Sequence, residues 1–140
     1  MKRLARMRGF TLLELLVVLA IIAMLAGIVG PQVMKHLGAS KTKTAQVQVE
    51  DLAAALDMYK LDEGHYPTQQ QGLSALVERP SDAISWNGPY LRKEKVPVDP
   101  WGQEYHYLFP GQHGKFDLYT FGADMKEGGE GEDKDVTSWE

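Results

Sequence analysis

The chain has 140 residues, enough for one modest domain and too few for two ordinary ones. Hydrophobic residues make up 44% and charged residues 24%, which excludes a disordered chain. The formal net charge of −4 is unevenly spread: residues 1–9 hold Lys2, Arg3, Arg6 and Arg8 and no acid, while residues 10–140 hold eleven basic and nineteen acidic residues. An acidic body argues against general nucleic-acid binding, which needs basic surface to replace counterions. The absence of cysteine excludes a disulfide framework, a thiolate metal site and cysteine catalysis.

From Phe10 to Gly30 the only charged side chain is Glu14. A helix of that length reaches roughly 30 Å, the thickness of a bilayer core. The basic cluster before it predicts a cytoplasmic N-terminus and an extracytoplasmic C-terminal domain. A cleaved secretory signal fits poorly, because the apolar core is long and no clean small-x-small site follows it. A buried globular helix fits poorly beside those flanking charges. A plain membrane anchor leaves Glu14 unexplained, since a carboxylate in hydrocarbon is costly unless it is paired or displaced toward the interface.

Residues 8–14 read R-G-F-T-L-L-E. This segment resembles the prepilin leader motif of type IV pilins and type II secretion pseudopilins. The resemblance implies that residues 1–9 are a leader removed by a prepilin peptidase between Gly9 and Phe10. It also implies N-methylation of Phe10 and an assembly role for Glu14, which would meet the N-terminal amine of a neighbouring subunit. Opposite charges that neutralise each other in a low dielectric relieve the cost of burying either alone.

Gly27, Gly30 and Pro31 interrupt the end of the apolar run, so a kink, local melting or a helix end is expected there. From Gln32 to about Leu61 the pattern is again helical: Val49, Leu52, Ala53, Leu56 and Tyr59 recur at three- and four-residue spacing. This half should pack one face on a soluble domain and stop at Gly64 and Pro67. Residues 72–79 suggest a short second helix ended by Pro80. The segments 86–91 and 96–102, rich in proline and glycine, predict turns. Residues 104–109 and 115–121 read as two strands of an antiparallel hairpin laid across the helix. Tyr105, Tyr107, Phe116, Leu118 and Phe121 supply its inner face.

The order Y-P-T, Q-G-L-x-A-L, W-x-G-P-Y-L, D-P-W-G, G-A-D and G-G-E-G, spread over residues 66–131, is similar to that of the major pseudopilins of type II secretion. The fold implied is α+β and pilin-like: a long N-terminal helix, membrane half and amphipathic half, packed on a small antiparallel hairpin or sheet, with a calcium-binding C-terminal loop. The organisation implied is a leader (1–9), a transmembrane and filament-core helix (10–31) and a periplasmic domain (32–140). The function implied is that of a non-enzymatic subunit, held in the inner membrane until it polymerises into a periplasmic filament that drives export through the outer membrane. The partners implied are further copies of the chain, minor pseudopilins, the prepilin peptidase, the inner-membrane secretion platform and secreted proteins, with work supplied by a cytoplasmic ATPase.

Residues 124–140 hold seven acids and two lysines; Gly128, Gly129 and Gly131 lie among them and Gly122 just before. Composition alone reads as a solvated acidic tail. However, the glycines stand between carboxylates as an ion-wrapping loop requires, and Trp139 suggests a tail that docks back. Calcium takes six to eight oxygens, but the spacing is not that of an EF-hand. The resemblance implies a structural Ca²⁺ held by Asp124, Glu132 and Asp133, with Asp135 a competing candidate and main-chain oxygens near Phe121 and Lys126 completing the shell.

His36, His65, His106 and His113 are scattered and read as surface or turn histidines. Asp99 in D-P-W-G reads as a turn former, and Trp86, Trp101 and the tyrosines as core. No nucleophile elbow, phosphate loop or dinucleotide fingerprint is present. Two other functions stay open: a type IV pilin for adhesion or motility, against which the cysteine-free acidic loop speaks, and a membrane-anchored periplasmic binding module or enzyme.

Overall fold

The structure is a computed structural model that describes residues 9–140. The leader expected at residues 1–9 therefore lies outside the described residues, apart from Gly9. The elements in chain order are helix α1 (Leu12–Glu63), a 3₁₀ turn (Gly72–Leu76), strands β1 (His106–Leu108) and β2 (Asp117–Thr120), a second 3₁₀ turn (Gly131–Asp133) and strand β3 (Val136–Thr137). The chain divides into two units, residues 1–37 and 38–140.

In the first unit the described part of α1 is long and apolar enough to cross a membrane. Its large apolar side chains, from Phe10 to Leu37, are exposed on every side. A helix that is apolar all round needs lipid or other helices about it. The helix runs through Pro31 without a break, although a proline leaves the carbonyl four residues back without its usual donor. The helix end that Gly30 and Pro31 allowed is thus not realised.

In the second unit Ala45, Val49, Leu52, Ala55, Leu56 and Tyr59 of α1 are buried, one stripe at helical spacing. They share a single core with Leu73, Ala75 and Leu76 of the 3₁₀ turn, Tyr105, Tyr107 and Leu118 of the hairpin, and Val136 of β3. Ala53, expected on the apolar face, is only half-buried. Gly64 ends the helix in the left-handed conformation (φ +82), its N–H donating to the Lys60 carbonyl at 2.8 Å, an arrangement glycine adopts without a Cβ penalty.

The sheet is antiparallel with order β1-β2-β3. Tyr107 faces Leu118, and Thr120 faces Val136. The expected hairpin is present with shorter strands, and β3 adds a third that the sequence pattern did not reveal. Gln69 covers the free edge of β1. Its amide nitrogen donates to the Tyr107 carbonyl and its amide oxygen accepts from the Phe109 N–H, both at 2.8 Å, so the side chain takes the place of a further strand.

Polar groups on α1 hold the long segment between helix and hairpin. Tyr66 donates to Asp57 and Tyr90 to Asp62, each at 2.7 Å, and Tyr105 donates to Gln48 at 2.6 Å. Glu63 accepts the backbone N–H groups of Ile84 and Ser85. Asp99 is 3% exposed. Its Oδ1 accepts the N–H groups of Trp101 and Gln103, and its Oδ2 accepts the Thr120 hydroxyl. It is the turn former that D-P-W-G suggested, and it also ties that turn to β2. The peptide bonds before Pro89 and Pro110 are cis.

Candidate functional site

The start of α1 is built by a reciprocal cap. The Thr11 N–H donates to Glu14 Oε2 at 2.8 Å, and the Thr11 hydroxyl donates to the same oxygen at 3.1 Å. The Glu14 N–H donates back to Thr11 Oγ1 at 3.2 Å. This is a capping box, which satisfies two otherwise orphaned helix donors. Glu14 thus has a partner on its own chain. The T-x-x-E spacing at residues 11–14 is the signal that would have revealed Thr11, which sequence reasoning passed over. Gly9 and Phe10 precede the helix as exposed, irregular backbone.

The second candidate is the acidic loop between β2 and β3. The Ala123 N–H donates to the Glu132 carbonyl at 2.9 Å and closes its neck. Gly122 (φ +71) lies so close to the 3₁₀ turn at Gly131–Asp133 that a Cβ there would sit 2.6 Å from the Glu132 carbonyl oxygen; only glycine fits. Within the loop, Asp124 Oδ1 accepts the Lys126 N–H at 3.1 Å, and Asp135 Oδ2 accepts the Gly128 N–H at 2.9 Å. Asp135 Oδ1 is buried without a hydrogen-bond partner.

The predicted ligands are not gathered as a set. Among the described residues, no three side chains of histidine, aspartate or glutamate stand together in a way that could hold a metal ion. Glu132 lies against α1, where its Cγ, Cδ and Oε1 fill the space a Cβ would occupy at Gly38. The Thr42 hydroxyl donates to the Gly131 carbonyl at 3.4 Å beside it. Asp133 backs onto Gly129, whose Cβ would meet the Asp133 Cβ at 2.9 Å. Phe121 turns its ring toward His106 and Tyr119, and its backbone follows β2 directly into the neck. The donor chemistry is nevertheless that of a hard cation, all oxygen. The orphaned Asp135 oxygen is the one buried carboxylate atom in the loop that lacks the counter-group it calls for.

Comparisons with known proteins agree along the whole chain. The family model for the prokaryotic N-terminal methylation motif matches residues 4–30, and that for type II secretion system protein G matches residues 32–139. A type II secretion system core protein G of Pseudomonas aeruginosa is 50% identical over 136 residues, 94% of each chain. One of Vibrio cholerae is 43% identical, covering 99% of this chain and 96% of that one. The fold is similar to the crystal structure of the major pseudopilin from the type 2 secretion system of enterohaemorrhagic Escherichia coli. That match has a TM-score of 0.65 and 33% identity, and covers 76% of this chain and 88% of the other. The chain therefore belongs to the type II secretion system protein G family, the major pseudopilins, which are structural subunits and not a family of enzymes.

Proposed function

We propose that the chain is stored in the inner membrane and polymerises into a periplasmic pseudopilus that pushes secreted proteins through the outer membrane. What carries this reading is the junction at Gly9 and Phe10. A methylation motif there runs straight into an apolar helix whose first turn places Glu14 at the N-terminal end. A prepilin peptidase cuts between Gly9 and Phe10 and methylates the Phe10 amine. The cut removes the basic leader and leaves one amine for the Glu14 of a neighbouring copy to meet. Glu14 then exchanges part of its Thr11 cap for that amine. The exchange keeps the carboxylate hydrogen-bonded throughout, so it never lies bare in hydrocarbon.

In this reading residues 10–31 are the membrane and filament-core segment and residues 32–140 the periplasmic domain, with the amino end in the cytoplasm. Leaving the bilayer is tolerable because neighbouring helices rebury the apolar surface. The partners are further copies, minor pseudopilins, the peptidase, the inner-membrane platform and the secreted proteins.

The acidic loop would hold a structural Ca²⁺ through Asp124, Asp133 and Asp135 with the backbone oxygens of Phe121 and Lys126, once the loop gathers these groups around the ion. Glu132 instead fastens the loop to α1 at Gly38. A bound divalent cation supplies the positive charge that offsets the repulsion among these carboxylates.

The test is the intact mass of the protein extracted from membranes of cells with and without the peptidase. The expected result is a peptidase-dependent amino terminus at methylated Phe10. An uncut chain in peptidase-competent cells would sink the reading and favour an anchored binding module.

A further inference from the structure

Asn87, in the W-N-G-P-Y-L segment, is the one asparagine of the chain, and a glycine follows it. With no Cβ, Gly88 leaves its backbone nitrogen open to the neighbouring side chain. Asn87 is exposed, and the backbone from Trp86 to Tyr90 is irregular. Among the described residues neither the Asn87 carboxamide nor the Gly88 N–H makes a hydrogen bond. The groups on either side of this free pair are fastened. Trp86 Nε1–H donates to the Ala75 carbonyl and the Tyr90 N–H to the Leu76 carbonyl, both at 2.8 Å. The Tyr90 hydroxyl donates to Asp62 at 2.7 Å and accepts the Asn87 N–H at 3.1 Å. The Trp86 and Tyr90 rings meet edge to face, 5.7 Å apart, and both press on Gly88. A Cβ there would sit 2.6 Å from Trp86 Cζ2 and 2.9 Å from Tyr90 Cδ2.

We propose that Asn87 is a site of spontaneous deamidation, and that its isoaspartate product unfastens the 86–91 segment from α1 and from the 3₁₀ turn at 72–76. Asparagine is a thermolabile residue, and here both reacting groups are free. The Gly88 nitrogen attacks the Asn87 side-chain carbonyl carbon. The new C–N bond closes a succinimide ring, and the carboxamide nitrogen leaves as ammonia with the proton that Gly88 gives up. Water then opens the ring at one of its two carbonyls. Opening at the side-chain carbonyl restores the ordinary backbone and leaves aspartate. Opening at the main-chain carbonyl breaks the original peptide bond and leaves isoaspartate, whose backbone runs through the side chain and is one methylene longer. Water is the only co-reactant, and the exposed site supplies it. The longer backbone has no room in this segment, because Gly88 already lies against both rings and the anchors at Ala75 and Leu76 fix the spacing between Trp86 and Tyr90. A closely packed site of this kind does not take up an extra methylene without displacing its neighbours. Both products also bring a negative charge to a stretch that Asp62 and Glu63 already hold.

The experiment ages the full chain in detergent, folded in neutral buffer and unfolded in guanidinium chloride. Isoaspartate is counted by methyl transfer from labelled S-adenosylmethionine with an isoaspartyl methyltransferase, and placed by peptide mass. The expected result is a steady gain of label at Asn87 in the folded chain and none at that position in Asn87→Gln. The isoaspartate form is then separated by ion exchange, and hydrogen–deuterium exchange of its Tyr90 amide is compared with that of the unaltered chain. It should exchange roughly fivefold faster, the factor that one lost hydrogen bond makes in a local opening equilibrium. Asn87→Asp has the added charge on an ordinary backbone and should keep the protection of the unaltered chain. A folded chain that gains no label while the unfolded chain is converted would overturn the site, since the fold would then shield it. Equal exchange in the isoaspartate form and the unaltered chain would overturn the unfastening. So would an equal loss of protection in Asn87→Asp, which would make the charge the cause and not the longer backbone.

Discussion

Met125 has φ +57, the left-handed region that a long side chain occupies at a cost of about 1–2 kcal/mol. Its side chain is exposed, so no burial offsets that strain. Met125→Gly should raise stability by about 1 kcal/mol in thermal or urea unfolding; no gain would mean that the loop relaxes the residue in solution. Gly38 presents the opposite case. It is a buried helical glycine whose missing Cβ is the space that Glu132 fills. Gly38→Ala gains about 1 kcal/mol of helix propensity but ejects the Glu132 side chain and one fastening of the loop. The two terms nearly cancel in global stability. The expected signature is a melting temperature little changed and faster proteolysis within residues 122–135. Unchanged proteolysis with a clear gain in melting temperature would show that Glu132 does not rest there.

Elements differ in how plainly the sequence announces them. The buried stripe of α1 is a strong periodic signal, and the helix end at Gly64 has its own conformational cause. The hairpin was legible because aromatic residues alternate there. β3 was not: its two residues follow a glycine-rich acidic stretch, and pairing with β2 rather than local pattern makes them a strand. The 3₁₀ turn at 72–76 read as a longer helix because Leu73 and Leu76 show only that one face is apolar. The tyrosine contacts to α1 are long-range and leave no local trace, yet they give the element scale a pH dependence. Burial, and then the Asp57 and Asp62 carboxylates, push the Tyr66 and Tyr90 hydroxyls up to about 12. A phenol in the unfolded chain ionises near 10. The folded state therefore holds these protons more tightly. Its stabilisation is complete below about pH 10 and is lost as the pH rises through about 12. Circular dichroism against pH should show alkaline unfolding in that window. Tyr66→Phe should cost about 1–3 kcal/mol at neutral pH and weaken the alkaline transition. An identical alkaline curve would remove the tyrosine contact as its source.

At the scale of the molecule, one cation would connect the loop to global stability. The carboxylates of residues 124–135 repel one another, and among the described residues none of them is ion-paired: Lys134 within the loop pairs instead with Glu140. A ligand that binds only the folded state adds about 2.7 kcal/mol at a hundred times its dissociation constant. The spacing of acids and glycines alone could not choose the ligands, because Glu132, Asp133 and Asp135 are equally acidic. Their separation comes from the fold: Glu132 is turned to Gly38, while Asp135 keeps a buried, unpartnered oxygen. Calcium should therefore raise the melting temperature of the unaltered chain and of Glu132→Gln. Asp135→Asn should lose most of that rise, because an amide oxygen brings no charge to the cation. Magnesium should do less than calcium, since it demands a tight octahedron that a loop with backbone donors does not readily provide. Equal responses from Glu132→Gln and Asp135→Asn would show that the cation gathers the loop into an arrangement different from this one. A loss confined to Glu132→Gln would return that residue to the ligand set and leave Gly38 a mere helix contact.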